Sequence, residues 1–152
     1  MTLKSRLEDD MRAAMKARDE LLTSTLRMAV AAVRNAEVAG RSARELTDDE
    51  VLAVLAREAK KRREAATAFG DAGRAAQAER ERLEEDILTR YLPSQLSDEE
   101  LSGIVAGALS EGSFVGAASM GPAMKAARDA VAGRADGGRV AAEVRHQLAL
   151  RG

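Results

Sequence analysis

Cysteine and tryptophan are absent from the 152 residues, and the aromatic side chains amount to two phenylalanines and one tyrosine. Without cysteine there is no disulfide, no thiol nucleophile and no thiolate-held metal. Histidine occurs once, at His146, so a multi-histidine metal site is ruled out and a serine nucleophile has one candidate base. A lone histidine in a terminal amphipathic stretch is far more often a surface or packing residue than a catalyst. No apolar run approaches the roughly 18 residues of a membrane span, and the start MTLKSRLEDD is charged from Lys4 with no apolar segment behind it. A soluble cytoplasmic protein with no membrane partner, no cofactor and no metal is expected. The net charge is −1, so any basic footprint for nucleic acid has to be local.

What the chain has is alanine, leucine, valine and charge. Hydrophobic residues make up 45%, enough for a core of Leu, Val, Ala and Met, while β-branched and aromatic strand formers are scarce. An all-α fold is predicted. A chain of this length buries roughly 68–70% of its extended surface, sufficient for one domain or two small ones.

Apolar residues recur at three- and four-residue steps from Leu3 through Leu7, Met11 and Met15, the mark of one helical face. Asp19 offers a cap before a second helix, about 20 to 39, which stops near Gly40, a residue suited to a left-handed turn. Thr47-Asp48-Asp49-Glu50 is a capping box opening a third helix through Val51, Leu55, Ala59, Ala66 and Phe69 to Gly70. A fourth, with Ala76, Leu83, Ile87 and Leu88 as its apolar positions, runs to Tyr91-Leu92 before Pro93 forbids continuation. Ser97-Asp98-Glu99-Glu100 supplies a second capping box after the short linker Pro93-Ser94-Gln95-Leu96. Three shorter helices follow: one through Leu101, Val105 and Leu109 to Glu111-Gly112, one capped by Ser119 with Pro122 in its first turn, and one through Val140, Val144 and Leu148. The predicted organisation is an N-terminal four-helix unit, residues 1–93, followed by a three-helix C-terminal domain, residues 94–152.

Paired acids such as Glu84-Glu85-Asp86 read as solvated faces, because nothing nearby would desolvate them and retune their pKa. Two basic features remain. Arg57, Lys60, Lys61, Arg62 and Arg63 read as a solvated helix face, with Glu58 four residues before Arg62 and Glu64 four after Lys60 for local pairing. Residues 120 to 152 carry Lys125, Arg128, Arg134, Arg139, Arg145 and Arg151 against Asp129, Asp136 and Glu143, a local basic excess in an acidic chain. With no aromatic residue nearby for base stacking, RNA recognition there would run through shape and phosphate.

Within that tail, Gly133-Arg134-Ala135-Asp136-Gly137-Gly138 lacks the Lys-Ser/Thr ending of a phosphate loop. It reads as a helix–helix corner: Gly133 ends one helix at positive φ, and Asp136 caps the next by accepting from the N–H groups two and three residues on. Arg134 and Arg139 flank the glycines as candidate ligand contacts.

Several strings in fixed order resemble the YqeY-like family: Met11 to Met15 with Leu26-Arg27-Met28, Arg57-Glu58-Ala59-Lys60-Lys61-Arg62, Ala72-Gly73-Arg74, the Tyr91-to-Ser97 junction, and Met120-Gly121 with Gly133-Arg134-Ala135-Asp136-Gly137. The resemblance implies two helical domains, the C-terminal one similar to the tail domain of the B subunit of glutamine-dependent aspartyl/glutamyl-tRNA amidotransferase. It implies a tRNA-recognition module without kinase or amidase machinery, with tRNA or amidotransferase subunits as partners. Relatives often carry lysines where Ala130 and Ala132 stand here, and a basic residue where Pro122 stands, which means fewer phosphate contacts.

The leading reading is a non-catalytic tRNA-binding accessory protein. Lys125, Arg128, Arg134, Arg139 and Arg145 are its nucleic-acid contacts, and Met120, Gly121, Gly133, Asp136 and Gly137 its structural motif. Next comes a protein–protein adaptor, which an exposed patch around Met120 and Met124 would favour. Third is participation in carbon–nitrogen ligase chemistry on misacylated tRNA with glutamine as amido donor. No residue is assigned a catalytic role.

Overall fold

The computed structural model describes residues 1–151, and among them the chain forms seven α-helices, one 3-10 helix and no strand. The all-α architecture follows from alanine-rich sequence with apolar residues at helical spacing. Two compact units divide the chain, Met1–Leu92 and Pro93–Gly152.

The first unit holds α1 (Leu3–Ala17), α2 (Glu20–Val38), α3 (Asp48–Asp71) and α4 (Ala75–Thr89). The α1–α2 turn is made by Arg18 at φ 58° and by Asp19, whose carboxylate accepts from the Leu22 N–H at 3.0 Å. Gly40 does not take the left-handed conformation expected of it; Ala39 ends α2 in the right-handed region. The following loop is secured instead by Glu37, a buried residue whose carboxylate accepts from Lys4 at 2.8 Å and from the Leu46 N–H at 3.2 Å. These donors, Lys4 foremost, hold the Glu37 carboxyl below the usual carboxylate range against the opposing effect of burial.

The Thr47 box forms as read: Thr47 Oγ1 accepts from the Glu50 N–H at 3.2 Å, and Glu50 Oε1 from the Thr47 N–H at 3.1 Å. Loss of such a cap costs about 1 kcal/mol. Leu46 and Val51 flank the box and both join the core, the arrangement of a hydrophobic staple. That core is built on Leu7, Leu26, Val33, Val51, Leu55 and Leu88, all at 0% exposure. Each large aliphatic buried this fully contributes about 1.5–3 kcal/mol.

Helix α3 packs chiefly along α4, and here the sequence reading needs correction. Leu83 is 41% exposed and Ala76 faces solvent; the buried positions of α4 are Ala78, Glu84, Ile87 and Leu88. Arg62 does not belong to a solvated face, since its side chain is 5% exposed. The two corrections share a cause. Arg62 Nη1 donates to Glu58 Oε1 at 3.2 Å, its Nε lies 3.6 Å from Glu84 Oε2, and Arg80 meets the other Glu84 oxygen at 3.3 Å. An inward Arg62 draws Glu84 inward, and α4 turns Leu83 out.

The second unit holds α5 (Asp98–Glu111), a 3-10 turn (Ala117–Ser119), α6 (Met120–Val131) and α7 (Gly137–Arg151). The Ser97–Glu100 box closes at 3.1 and 3.0 Å, and Leu96 and Leu101 flank it in the core, repeating the device that starts α3. Gly112 follows α5 at φ −83°, so no left-handed turn requires it. A Cβ there would lie 2.1 Å from the Phe114 ring, and that close approach requires glycine. Ser119 does not cap α6: its hydroxyl donates to the Val115 carbonyl at 3.0 Å. The 3-10 turn runs directly into α6, so the Met120 N–H already has a partner in the Ala117 carbonyl. Ala123 and Ala127 form the buried face of α6, and such small side chains bring helix axes close. Val105, Leu109, Val131, Val140, Val144 and Leu148 complete the core.

Candidate nucleic-acid interface

The corner between α6 and α7 has the geometry its residues dictate. Ala132 takes φ 53° and ψ 44°, Gly133 φ 76°, and the Arg134 N–H turns back to the Val131 carbonyl at 3.1 Å. Asp136 Oδ1 accepts from the N–H groups of Gly138 at 2.6 Å and Arg139 at 3.3 Å. A carboxylate therefore occupies the donors at the start of α7, the place where a phosphate loop would hold its anion. Gly137 is exposed with open space around it. At Met120-Gly121, the methionine is half-buried against the core and the glycine is exposed in the first turn of α6.

The two arginines flanking the glycines have work inside the unit. Arg134 Nε donates to the Ser94 carbonyl at 3.1 Å, and the Leu96 N–H donates to the Arg134 carbonyl at 2.7 Å. Arg139 Nη2 donates to the Leu96 carbonyl at 3.0 Å and to Asp98 Oδ1 at 2.9 Å. Together they bind residues 94–98 to the corner and seat Leu96 in the core at 3% exposure. Pro93-Ser94-Gln95-Leu96, read from sequence as a linker, is thus folded into the second unit. Arg151 is engaged in the same way, donating to the Ala106 carbonyl at 3.2 Å and Ser110 Oγ at 3.1 Å.

The other three cations face water. Lys125 is 81% exposed and pairs with the exposed Asp129 at 3.0 Å, a contact of the kind that contributes about 0–1 kcal/mol and yields readily to a competing anion. Arg128 on α6 and Arg145 on α7 are exposed and have no ion-pair or hydrogen-bond partner among the described residues. The remaining acid, Glu143, accepts from the Gln147 side chain at 2.8 Å. Of the five predicted contacts, the fold leaves Lys125, Arg128 and Arg145 outward and gives Arg134 and Arg139 internal partners. Met124, like Met120, packs half-buried on the core, so the apolar patch an adaptor would offer there is not exposed.

His146 is exposed, and no group of three or more His, Asp or Glu that could hold a metal exists among the described residues. The exposed, positively charged groups of this surface are Lys125, Arg128 and Arg145. Sequence reasoning missed the internal roles of Arg134, Arg139 and Arg62. The spacing of Arg134 from Leu96, almost forty residues, hid the first, and only packing could disclose the other two.

Fold and surface together define an all-helical protein of two compact units whose C-terminal unit displays Lys125, Arg128 and Arg145 to solvent. A family model described as Yqey-like protein matches residues 4–148, nearly the whole chain, and the protein belongs to that YqeY-like family. No curated protein matches it. No helix among the described residues is long and apolar enough to cross a membrane.

Proposed function

We propose that this protein is a non-catalytic tRNA-binding accessory protein of the cytoplasm, whose second unit grips RNA phosphates as the tail domain of the amidotransferase B subunit is thought to do. The observation that supports the reading is the exposure of Lys125, Arg128 and Arg145 on α6 and α7, within a segment of basic excess. Arg134 and Arg139, in contrast, tie the segment before α5 to the α6–α7 corner. Such a surface reads backbone geometry and not base identity, because no aromatic platform accompanies it.

Binding of purified protein to bulk tRNA over a salt series tests this. Three phosphate contacts predict a slope of about 2 to 3 in log K against log salt. The double change Arg128→Ala with Arg145→Ala removes about two thirds of that slope while leaving the helical content intact. No binding at low salt, or binding indifferent to salt and to these changes, rejects the reading and redirects the search to protein partners.

A further inference from the structure

The buried guanidinium of Arg62 is incompletely satisfied. Its Nη1 donates to the Glu58 carbonyl at 3.1 Å and to Glu58 Oε1 at 3.2 Å. Nε stands 3.6 Å from Glu84 Oε2, within ion-pair range but beyond a hydrogen bond, and has no acceptor among the described residues. Nη2, reaching from α3 to α2, donates to Met28 Sδ at 3.7 Å. A thioether is a weak acceptor, so a charged side chain that is 5% exposed spends one of its donors on a poor partner. Buried donors are normally matched to oxygen, and a guanidinium aimed at sulfur is an exception that calls for a reason.

Met28 itself is not sealed. It is 48% exposed and lines an open cleft of about 410 Å³ between α2 and α3, so a small dissolved oxidant reaches it from solvent. Met15, on α1, is exposed to the same 48%, and no hydrogen-bond donor meets its sulfur among the described residues. The two methionines therefore differ in the guanidinium and not in access. Met11, Met120 and Met124 are half-buried.

We propose that Met28 is a site of reversible oxidation by hydrogen peroxide, and that its sulfoxide ties α2 to α3 through Arg62. A lone pair of Met28 Sδ attacks one peroxide oxygen, the O–O bond breaks and an S–O bond forms. The proton on the transferred oxygen passes to the departing one, which leaves as water; sulfur is oxidised by two electrons and the peroxide reduced by two. The Arg62 hydrogen bond occupies one lone pair of the sulfur, so attack falls on the other and one sulfoxide epimer is favoured. The methionine side chain, with its three rotatable bonds, then turns the new oxygen to Nη2. A sulfoxide oxygen is a far better acceptor than a thioether, and a bond to it from a guanidinium is charge-assisted. Oxidation of methionine ordinarily disrupts the packing around it; at Met28 it supplies the acceptor that the buried arginine lacks. The inference stands on first-unit residues alone and does not depend on the tail reading.

The test treats the full chain with hydrogen peroxide, locates sulfoxide by peptide mass spectrometry and follows thermal unfolding by the fluorescence of Tyr91. That residue is the only tyrosine, the chain has no tryptophan, and it lies in the first unit, so its signal reports the melting of that unit. As Met28 is converted, the midpoint is expected to rise by about 4–8 °C, the effect of one net hydrogen bond in a domain of this size. Met28→Leu should show no such rise after the same treatment, and Met15→Leu should keep it. Epimer-specific methionine sulfoxide reductases give a readout besides stability: one of the two should restore most of the Met28 sulfoxide, whereas both should share that of Met15. A midpoint that falls as Met28 is oxidised overturns the tie to Arg62, and so does an even mixture of epimers there. Met28 left reduced while Met15 is oxidised overturns the site itself.

Discussion

Arg139 separates the scaffold of the basic corner from its contact surface, and replacing it with alanine tests that division. Its guanidinium makes two hydrogen bonds, one to the Leu96 carbonyl at 3.0 Å and one to Asp98 at 2.9 Å. The Asp98 side chain is 98% exposed, so that half of the contact is a surface ion pair of little weight. The Leu96 half is different: it is a charge-assisted bond to the backbone of a residue that is 3% exposed. Bonds to charged groups contribute about 1.5–3 kcal/mol, and the arginine's partial exposure places this one near the lower end, about 1.5–2 kcal/mol. Every 1.4 kcal/mol is a factor of ten, so amide hydrogen exchange at Leu96, Leu101 and Val144 should accelerate about 10- to 30-fold in Arg139→Ala, while Leu26 and Leu55 in the first unit keep their protection. Arg128→Ala, on the exposed face of α6, should change exchange in neither unit and should weaken tRNA binding with a shallower salt slope. If Arg139→Ala leaves exchange at Leu96 and Val144 untouched and lowers tRNA affinity as Arg128→Ala does, the internal role assigned to Arg139 is wrong and the residue is a phosphate contact.

Arg62→Ala should destabilise the first unit by about 1.5–3 kcal/mol, because Glu84 and Glu58 lose one counter-charge while keeping Arg80 and Lys61; pairing it with Glu84→Leu should recover part of the loss, as read from urea midpoints. Failure of the double change to recover stability would show that α4 does not depend on the ion pair for its rotation about its axis. On acidification, Glu50 should make a small, solvent-screened contribution to loss of stability, because its pair with Arg44 lies at the surface. Its carboxyl is drawn down to about 2 by Arg44 first and then by the Thr47 N–H, and a carboxyl depressed in the folded state stabilises above its unfolded value and loses that contribution as pH falls from about 4.5 toward 2. Thermal midpoints of Glu50→Gln measured between pH 5 and 2 should fall less steeply than those of the parent protein.

How much was legible in the sequence can be judged element by element. The Thr47 and Ser97 capping boxes were readable because their partners sit three residues apart, and local chemistry settles such contacts whatever surrounds them. The same holds for Asp19 and for Asp136 with Gly133, where one carboxylate and one positive φ decide a turn. Ser119 and Gly40 show where that logic fails: a 3-10 turn supplied the donor's partner in one case, and Glu37 secured the loop in the other. Among the five predicted contact residues, composition identified them as cations, and it had no means of ranking their exposure.

The residues by themselves determined that this is a helical protein, where α3 and α5 begin, and that its basic excess lies in the last third of the chain, because capping, periodicity and charge depend on near neighbours. Tertiary structure alone decided which cations remain available. A guanidinium can serve the backbone of a distant segment as readily as a phosphate, and whether it does so depends on which carbonyls the fold carries to it. Ser94 and Leu96 reach Arg134 and Arg139, Ala106 reaches Arg151, and no such group among the described residues reaches Arg128 or Arg145. Burial made the same choice at Arg62, drawing one arginine of a basic run inside while Arg57 and Lys60 stayed in water.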